Sequence, residues 1–516
     1  MSLNPVERRL ALLNQDWLKF RADASRRVLI WQLPANAVRI AEAWIEAQKY
    51  EHPDYTTGDL LLLFKTPFVH GLRYARELKE ALRGQYDASL EDLKEQGLTT
   101  DWPFQPETVP DTPAGFGDAV RSFGSHYHRS IGHLVVVFMP ASVAHQASWE
   151  AWVEALLVTE LPERLRVLLI DTVEQPRYTA LVERIGKLAL VQAPALDSFA
   201  VAEECFAQEG IGPAATFRTL MMGVVTLLEK GSAEQVRARV VEALAFAQKQ
   251  GWQDQQVALK LMMAGAFVKE ARYPEALQTY ERARQDAGQT LKAGHPAAHK
   301  LILQTWFGQA GMHLVAGQFP EAARCYDQAA AVAQADKNAL LGIEARRMSA
   351  QMHAKAGDPI AGAERAVAAL KLTAQLLPEA RGMTTAGTTI AEQLALLDPK
   401  RFTAMRRVKN VLADELETVR QQGDILATQL TAARAPDALD QVETLREAGA
   451  AAAATRAETA LQTLVAGGDT VFQEWVAQGD GLLGAGWLVR DDLALPPLPP
   501  EEFTAAEEAA PEGAPA

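Results

Sequence analysis

The chain has 516 residues, which at usual domain sizes is enough for two to four folded units rather than one core. Its 48% hydrophobic content is sufficient for buried cores. The 65 Asp and Glu residues exceed the 51 Lys and Arg residues, and the formal net charge of −14 opposes broad attraction to nucleic-acid phosphates or anionic lipid. We therefore expect no nucleic-acid partner.

The cysteine content and the absence of long apolar runs predict a cytoplasmic protein. Cys205 and Cys325 lie far apart inside helical patterns, as expected for buried thiols in a reducing compartment rather than for a disulfide framework. The first residues contain no apolar core of signal-peptide length, and no later apolar run is long enough to cross a membrane. Integral membrane association is therefore not expected.

Short apolar runs alternate with helical patterns between about residues 26 and 197, which is typical of βαβ units on a mostly parallel sheet. The runs are almost wholly apolar, as in strands that helices cover on both faces. A stretch rich in Pro and Gly, near residues 97–132, interrupts this rhythm and predicts an irregular insertion or exposed loop. The predicted strands are Val28–Leu33, Leu60–Phe64, Leu134–Met139, Val167–Ile170 and Leu188–Val191.

After Asp197 the strand signals stop, and Ala-rich helical periodicity continues to about residue 465. A turn residue, the triplet Pro-Glu-Ala, a Tyr and an Ala recur at identical offsets in two copies, around Ala276 and Ala322. Weaker copies start at Gly231 and Gly357, and the copies lie about 40 to 46 residues apart. A minimal repeat of this type has roughly 34 residues, so these helices must be longer by a turn or more.

Helix packing explains the recurring residues. A small side chain lets the second helix of a hairpin approach the first, and the aromatic residue four positions later fills the groove on the same face. In this pattern, over about residues 215–375, the chain resembles the tetratricopeptide repeat (TPR) family. The packing residues are Ala264, Phe267, Ala276, Tyr280, Ala283, Trp306, Ala310, Ala322, Tyr326 and Ala329.

The predicted architecture is an α/β N-terminal domain with about five strands, an all-α TPR-like superhelix and a C-terminal helical hairpin. Amphipathic periodicity broken at Pro436 predicts the hairpin, for which a cap on the repeats is favoured over a long dimeric coiled coil. The final acidic, Pro-rich stretch is predicted to be disordered. The corresponding domains are residues 1–200, 201–395, 396–466 and 467–516.

The five-strand layout also resembles the P-loop nucleotide-binding domain of signal-transducing ATPases of the STAND class, in which repeats follow that domain. This resemblance implies a phosphate loop. After the first predicted strand, however, the chain reads Pro34-Ala-Asn-Ala-Val-Arg39, without the glycines, Lys and Ser or Thr that hold phosphates and magnesium. The sequence therefore predicts no ATP hydrolysis, and for Asp171, at a strand end, a turn role is favoured over a nucleotide role.

Other candidate sites have weak signals. His126, His128 and His133 have a spacing that could bind a metal, but surface histidines are the favoured interpretation. A cysteine peptidase would need a Cys after a strand, whereas Cys205 and Cys325 lie in helical patterns. We predict no catalytic, cofactor or metal site.

The leading hypothesis is a non-catalytic scaffold, such as an adaptor or a chaperone, that holds another protein or peptide in a groove lined by the first helices of the repeats. The alternative is a STAND-like signalling protein that binds a nucleotide through a non-standard site. The candidate partner-binding residues, chosen from helical phase, are Lys260, Gln304, Gln309, Arg346 and Gln351.

Overall fold

A computed structural model describes residues 3–159, 161–197, 201, 204, 212–435 and 437–489. The chain forms two compact units. The sheet unit joins Met1–Ala215 with Thr418–Gly449, and the helical unit joins Thr216–Glu417 with Ala450–Ala516. Among the described residues, no helix is both long enough and apolar enough to span a membrane.

The sheet unit contains five parallel strands in the order β2-β3-β4-β1-β5, as predicted for an α/β fold. Val28 pairs with Val167 of β4 and with Ala189 of β5, so the first strand is central. Central parallel strands are buried on both faces, which explains why their sequences are almost entirely apolar. The strands are β1 (Val28–Leu33), β2 (Leu60–Phe64), β3 (Leu134–Phe138), β4 (Leu165–Thr172) and β5 (Ala189–Gln192).

Helices cover both faces of this sheet. Side chains alternate along β1, so that Val28 and Ile30 belong to one core while Leu29 and Trp31 belong to the other. The core of Leu29 and Trp31 is closed by α1 and α2, and the opposite core by α3, α5, α6 and α7. These helices are α1 (Pro5–Ala22), α2 (Val38–Ala47), α3 (Gly71–Ala88), α4 (Leu90–Glu95), α5 (Pro113–His126), α6 (Gln146–Leu157) and α7 (Thr179–Ile185).

The stretch near residues 97–132 differs from the irregular insertion that the sequence suggested, because α5 occupies its second half. Thr112 caps this helix by accepting a hydrogen bond from the Gly115 amide, and Pro113 lies at its start. Proline is favoured at the first position of a helix, where its missing N–H has no helical partner. The segment before the helix also enters the core, since Trp102 is 2% exposed.

Residues 418–449 belong to the sheet unit, whereas the sequence-based division placed the whole of 396–466 apart as a cap on the repeats. They include the end of α18 (Pro399–Ala432) and the start of α19 (Ala438–Ala466). Leu439 and Val442 are buried against Leu72 of α3. The side chains that carry this packing lie more than 300 residues apart in sequence, so local periodicity could not reveal it.

The helical unit is a TPR-like array in which consecutive helices pack as pairs. Turns of a few residues join helices of 16 to 20 residues, and such short connections require neighbouring helices to run antiparallel. The array contains α8 (Pro213–Lys230), α9 (Ala233–Lys249), α10 (Gln253–Lys269), α11 (Tyr273–Lys292), α12 (Ala298–Val315), α13 (Phe319–Ala335), α14 (Ala339–Lys355) and α15 (Pro359–Ala374).

Small residues lie where these helices approach closely. Ala276 and Ala322 have no exposed surface. The third copy has Gly362 at the same position, where a Cβ would lie only 2.8 Å from the carbonyl oxygen of Ala350. Of the ten predicted packing residues, nine are buried, including Ala276 and Ala322, and Trp306 is half-buried.

The turns inside the hairpins use left-handed backbone. Gly317 and Gly357 have φ angles of 72° and 89°, which glycine adopts without strain. Ala271 occupies the same place in the second hairpin with a φ of 57°, although its Cβ disfavours that region.

A further cluster follows the repeats within the helical unit. Trp475 and Trp487 are buried with Ile390 and Phe472. The acidic, Pro-rich stretch predicted to be disordered, residues 496–516, lies outside the described residues. The additional helices are α16 (Pro378–Arg381), α17 (Ala386–Leu397) and α20 (Thr470–Leu483).

Candidate functional site

The carboxyl ends of β1 and β4 are the first candidate, because the chain leaves these neighbouring strands toward opposite faces, and open α/β sheets bind ligands at such points. The chain's own groups occupy this place. The amide nitrogen of Ala35, just after β1, donates to the Glu174 carboxylate at 3.1 Å from each oxygen. A carboxylate here uses a donor that a phosphate would need and also repels an anion.

Asp171, at the end of β4, is committed to the following turn. It is 1% exposed. Its Oδ2 accepts from the Arg177 amide at 3.0 Å, and its Oδ1 accepts from Arg177 Nε at 3.3 Å. Both oxygens are therefore engaged, as expected of a turn residue.

The three histidines of the possible metal site do not converge. His126 lies near Thr99 and Asp101, and His128 contacts the Ser125 carbonyl at 2.8 Å. His133 contacts Asp59. Within the described ranges no group of three or more His, Cys, Asp and Glu side chains is placed to hold a metal ion.

Asp59 is the centre of a buried network that joins α1 to the start of β2. Its carboxylate accepts from Trp17 Nε1 at 2.7 Å, from Arg21 at 3.0 Å and from the His133 amide at 2.8 Å. Burial alone would raise the pKa of Asp59, but the hydrogen bonds from Trp17 and His133 and the charge of Arg21 outweigh it and lower that pKa. These contacts stabilise the fold of the sheet unit.

A cavity of about 660 Å³ lies in the sheet unit between α3, the 106–112 segment and the 430–439 segment. Among the charged residues that line it, Asp111 accepts from Arg76 at 2.7 Å, and the same carboxylate accepts from Lys79 at 2.9 Å. Leu72 and Leu430 line its apolar side.

The first helices of three successive hairpins carry a different kind of surface. Leu261, Gly265 and Val268 of α10 lie on one side of the helix, at i, i+4 and i+7. No neighbouring group lies within 4 Å of the place that a Cβ would take at Gly265, or at Gly311 in the equivalent position of α12. The large side chains at these positions of α8, α10 and α12 are half-buried. We refer to the nine residues as the apolar face: Met221, Val225, Leu228, Leu261, Gly265, Val268, Phe307, Gly311 and Leu314.

The apolar face ends at α14, where two of the three equivalent positions are the polar residues Arg347 and Gln351 and the third is Ala354. Arg347 donates to Glu392 of α17 at 2.6 Å, and Gln351 donates to the same oxygen at 3.2 Å. Burial raises the pKa of Glu392 to about 7, although the charge of Arg347 opposes that rise. This cluster closes one end of the apolar face with groups that bond to each other.

The five predicted partner-binding residues do not share one surface. Lys260 pairs with Asp286, and Gln304 is exposed. Gln309 is 7% exposed and accepts from Arg284 at 2.6 Å. Two residues five positions apart point roughly 140° away from each other around a helix, so Gln304 and Gln309 cannot face the same groove.

The last two predicted residues bond to neighbouring helices. Arg346 donates to Gln334 at 3.1 Å, and Gln351 belongs to the Glu392 cluster. None of the five predicted residues belongs to the apolar face, although apolar residues recur at i, i+4 and i+7 in the first helices of three successive hairpins.

The thiol at position 325 is not poised for nucleophilic chemistry. Cys325 is 5% exposed, and burial raises the pKa of its thiol to about 11. A neutral, buried thiol is a poor nucleophile. Cys205 lies outside the described residues.

No protein-family model and no curated protein matches the chain. Among solved structures it is similar to the apo form of RapI, with 10% identity, a TM-score of 0.27, and coverage of 86% of this chain and 97% of that chain. It is also similar to PH0952 from Pyrococcus horikoshii, a STAND protein with a tetratricopeptide repeat sensor. That comparison gives 10% identity, a TM-score of 0.22, and coverage of 90% of this chain and 85% of that chain. At these values neither similarity carries an argument about function.

Proposed function

We propose that the protein is a non-catalytic scaffold, an adaptor that holds a segment of another protein on the apolar face. One observation carries the proposal: the same three positions are apolar in three successive first helices and are only partly covered by the fold. Apolar surface left open at matched positions favours binding of an apolar or amphipathic segment, because its burial releases water from both partners.

The groups that could perform chemistry support a non-catalytic role. Asp171 is engaged by Arg177, and Cys325 is buried with a raised pKa. Glu174 takes the amide donor beside β1. No observation favours the nucleotide-binding alternative, and we therefore do not propose it.

Site-specific cross-linking in the native host tests the scaffold. A photo-reactive phenylalanine analogue replaces Gly311, where no neighbouring group obstructs it. The matched control carries the analogue at Ile360, which is 76% exposed and lies outside the apolar face. We expect a defined cross-linked protein from position 311 and none from position 360. The scaffold proposal is wrong if position 311 gives no adduct, or if both positions give the same adducts.

A thermal-shift measurement with ATP and magnesium addresses the alternative. A ligand that binds only the folded state must raise its melting temperature. We expect no shift at millimolar nucleotide, since Glu174 lies at the amide of Ala35. A shift in the wild type that disappears on substitution of residues at this edge would establish the alternative.

A further inference from the structure

The helical array is positively charged within an acidic chain. Residues 213–374 contain 19 Lys and Arg against 14 Asp and Glu, an excess of five positive charges, whereas the whole chain has a net charge of −14. The positions seven residues before the start of the apolar face carry Asp254 on α10 and Lys300 on α12, and Asp254 accepts a hydrogen bond from Gln255. Lys300 is exposed and precedes Phe307 and Gly311 by seven and eleven residues. These spacings place all three on one side of the helix. The array therefore favours an occupant that combines apolar side chains with acidic ones.

The segment 490–516 has this composition. It carries seven Asp and Glu against one Arg. Leu493, Leu495 and Leu498 lie between the acidic pairs at 491–492 and 501–502, and Phe503 lies between the second pair and the acidic pair at 507–508. Four prolines between Leu495 and Glu501 disfavour a helix and favour an extended chain.

The dimensions of the segment and of the apolar face agree. Helices pack about 8–10 Å apart, so three first helices present a surface roughly 25–30 Å across. An extended proline-rich chain rises about 3.1 Å per residue, and the span from Leu493 to Phe503 therefore covers about 31 Å.

The segment can also reach the face. It begins just after Trp487 and Leu488, which are buried in the cluster that contains Ile390 of α17. α17 contacts α14, and successive first helices lie about 8–10 Å apart, so α12 lies roughly 16–20 Å and α8 roughly 32–40 Å from α17. Leu493 and Phe503 follow Leu488 by five and fifteen residues, which span up to about 17 Å and about 50 Å when extended.

We infer that residues 490–516 bind to the apolar face of their own chain and compete there with the partner. This inference rests on the proposed function, because it names an internal regulator of the same surface. A tethered segment has an effective concentration of the order of millimolar. If the free segment binds with a Kd of about 0.1 mM, tethering weakens an external ligand about tenfold.

The test uses the full-length chain and a fluorescent peptide of residues 490–508, followed by anisotropy. A released variant carries Leu493→Ser, Leu495→Ser, Leu498→Ser and Phe503→Ser and keeps every acidic residue. We expect the peptide to bind the released variant about tenfold more tightly than the wild type. Binding should weaken as salt increases and in a released variant that also carries Lys300→Glu.

Gly265→Gln and Gly311→Gln in the released variant separate binding from folding. Glutamine is a better helix former than glycine, and neither position has a neighbouring group within 4 Å of the Cβ. We expect an unchanged or higher melting temperature together with lost peptide binding. Retained binding in this variant would remove the apolar face as the docking site.

The other possible results of the peptide-binding experiment also decide whether the inference holds. Equal peptide affinity for wild type and released variant, or no binding to the released variant, overturns the internal regulator. A cross-linked partner at position 311 would then still support the scaffold, so the two proposals fail separately. If light scattering shows that the wild type associates through this segment, the occupant is a second copy and the intramolecular inference is wrong.

Discussion

Substitution of two glycines on one helix tests how closely neighbouring helices of the repeats pack. Gly308 and Gly311 both lie inside α12, where replacing glycine by alanine gains about 1 kcal/mol from helix propensity alone. Their surroundings differ. A Cβ at Gly308 would lie 2.7 Å from Cζ and 2.9 Å from the hydroxyl oxygen of Tyr280, whereas no neighbouring group approaches a Cβ at Gly311.

The expected energies follow from these contacts. Gly308→Ala forces the Tyr280 ring to move, and overpacking of this kind costs about 1–3 kcal/mol. The net change in unfolding free energy therefore runs from zero to a loss of about 2 kcal/mol. Gly311→Ala gains about 1 kcal/mol. If the array unfolds as one unit of about 200 residues, each kcal/mol shifts its melting temperature by about 2–4 °C.

The measurement is thermal unfolding of the full-length variants by circular dichroism, with Tyr280→Leu added in each background. Removing the phenol should reduce the penalty of Gly308→Ala and leave the effect of Gly311→Ala unchanged, giving a coupling energy of at least about 0.5 kcal/mol. Equal stabilities for the two alanine variants, or no coupling to Tyr280, would refute the packing described for this hairpin.

Four further substitutions probe the turns, the polar cluster and the sheet unit. Ala271→Gly should raise the unfolding free energy by about 1 kcal/mol, because it removes a Cβ from left-handed backbone; Gly317→Ala, at a φ of 72°, is the reciprocal control in urea unfolding and should lower it. Glu392 has a folded pKa of about 7, above its ordinary 4.5, so its contribution is complete below pH 4.5 and is lost as the pH rises through 7. The melting temperature of Glu392→Gln minus that of the wild type should therefore increase from about pH 5 to about pH 8, and a constant difference would contradict the raised pKa. The pKa of Asp59 is lowered, so its stabilisation is present above its ordinary value of 3.8 and is lost as the pH falls through the folded pKa. Asp59→Asn should destabilise by about 2–3 kcal/mol near neutral pH, and a chemical-denaturation series should show the loss shrinking in acid.

The sequence predicted the strands well because central parallel strands leave a strong local signal. Each strand is a run of apolar residues bounded by polar ones, and β1 and β2 have the predicted ends. The helix at Pro113–His126 was missed because proline and glycine were interpreted as breakers. Thr112 followed by Pro113 is a helix start, and Phe116, Val120 and Phe123 supply the buried side at i, i+4 and i+7.

Contacts between residues that are far apart in the chain left no comparable signal in the sequence. The packing of Leu439 and Val442 against Leu72 depends on three residues from distant parts of the chain. The same limit applies to Gln309, which was chosen by phase as a groove residue and is 7% exposed. Arg284, which donates to it, belongs to the preceding helix. Helical phase can identify residues on one side of a helix, but only the packed neighbours decide which side is open.

The polar end of the apolar face sets the size of segment that the scaffold can hold. Arg347 and Gln351 bond to Glu392 in place of offering apolar surface, so an apolar partner can use α8, α10 and α12 but meets only the small side chain of Ala354 at α14. Three helices at usual packing distances accommodate about nine residues of extended chain or about twenty of helix. A segment much longer than this should bind no more tightly than its apolar portion alone. Replacing Arg347, Gln351 and Glu392 by leucine should extend the apolar face by one helix and tighten binding of a longer apolar peptide. If peptides lengthened beyond this limit bind progressively more tightly to the wild type, the partner segment does not bind on the apolar face.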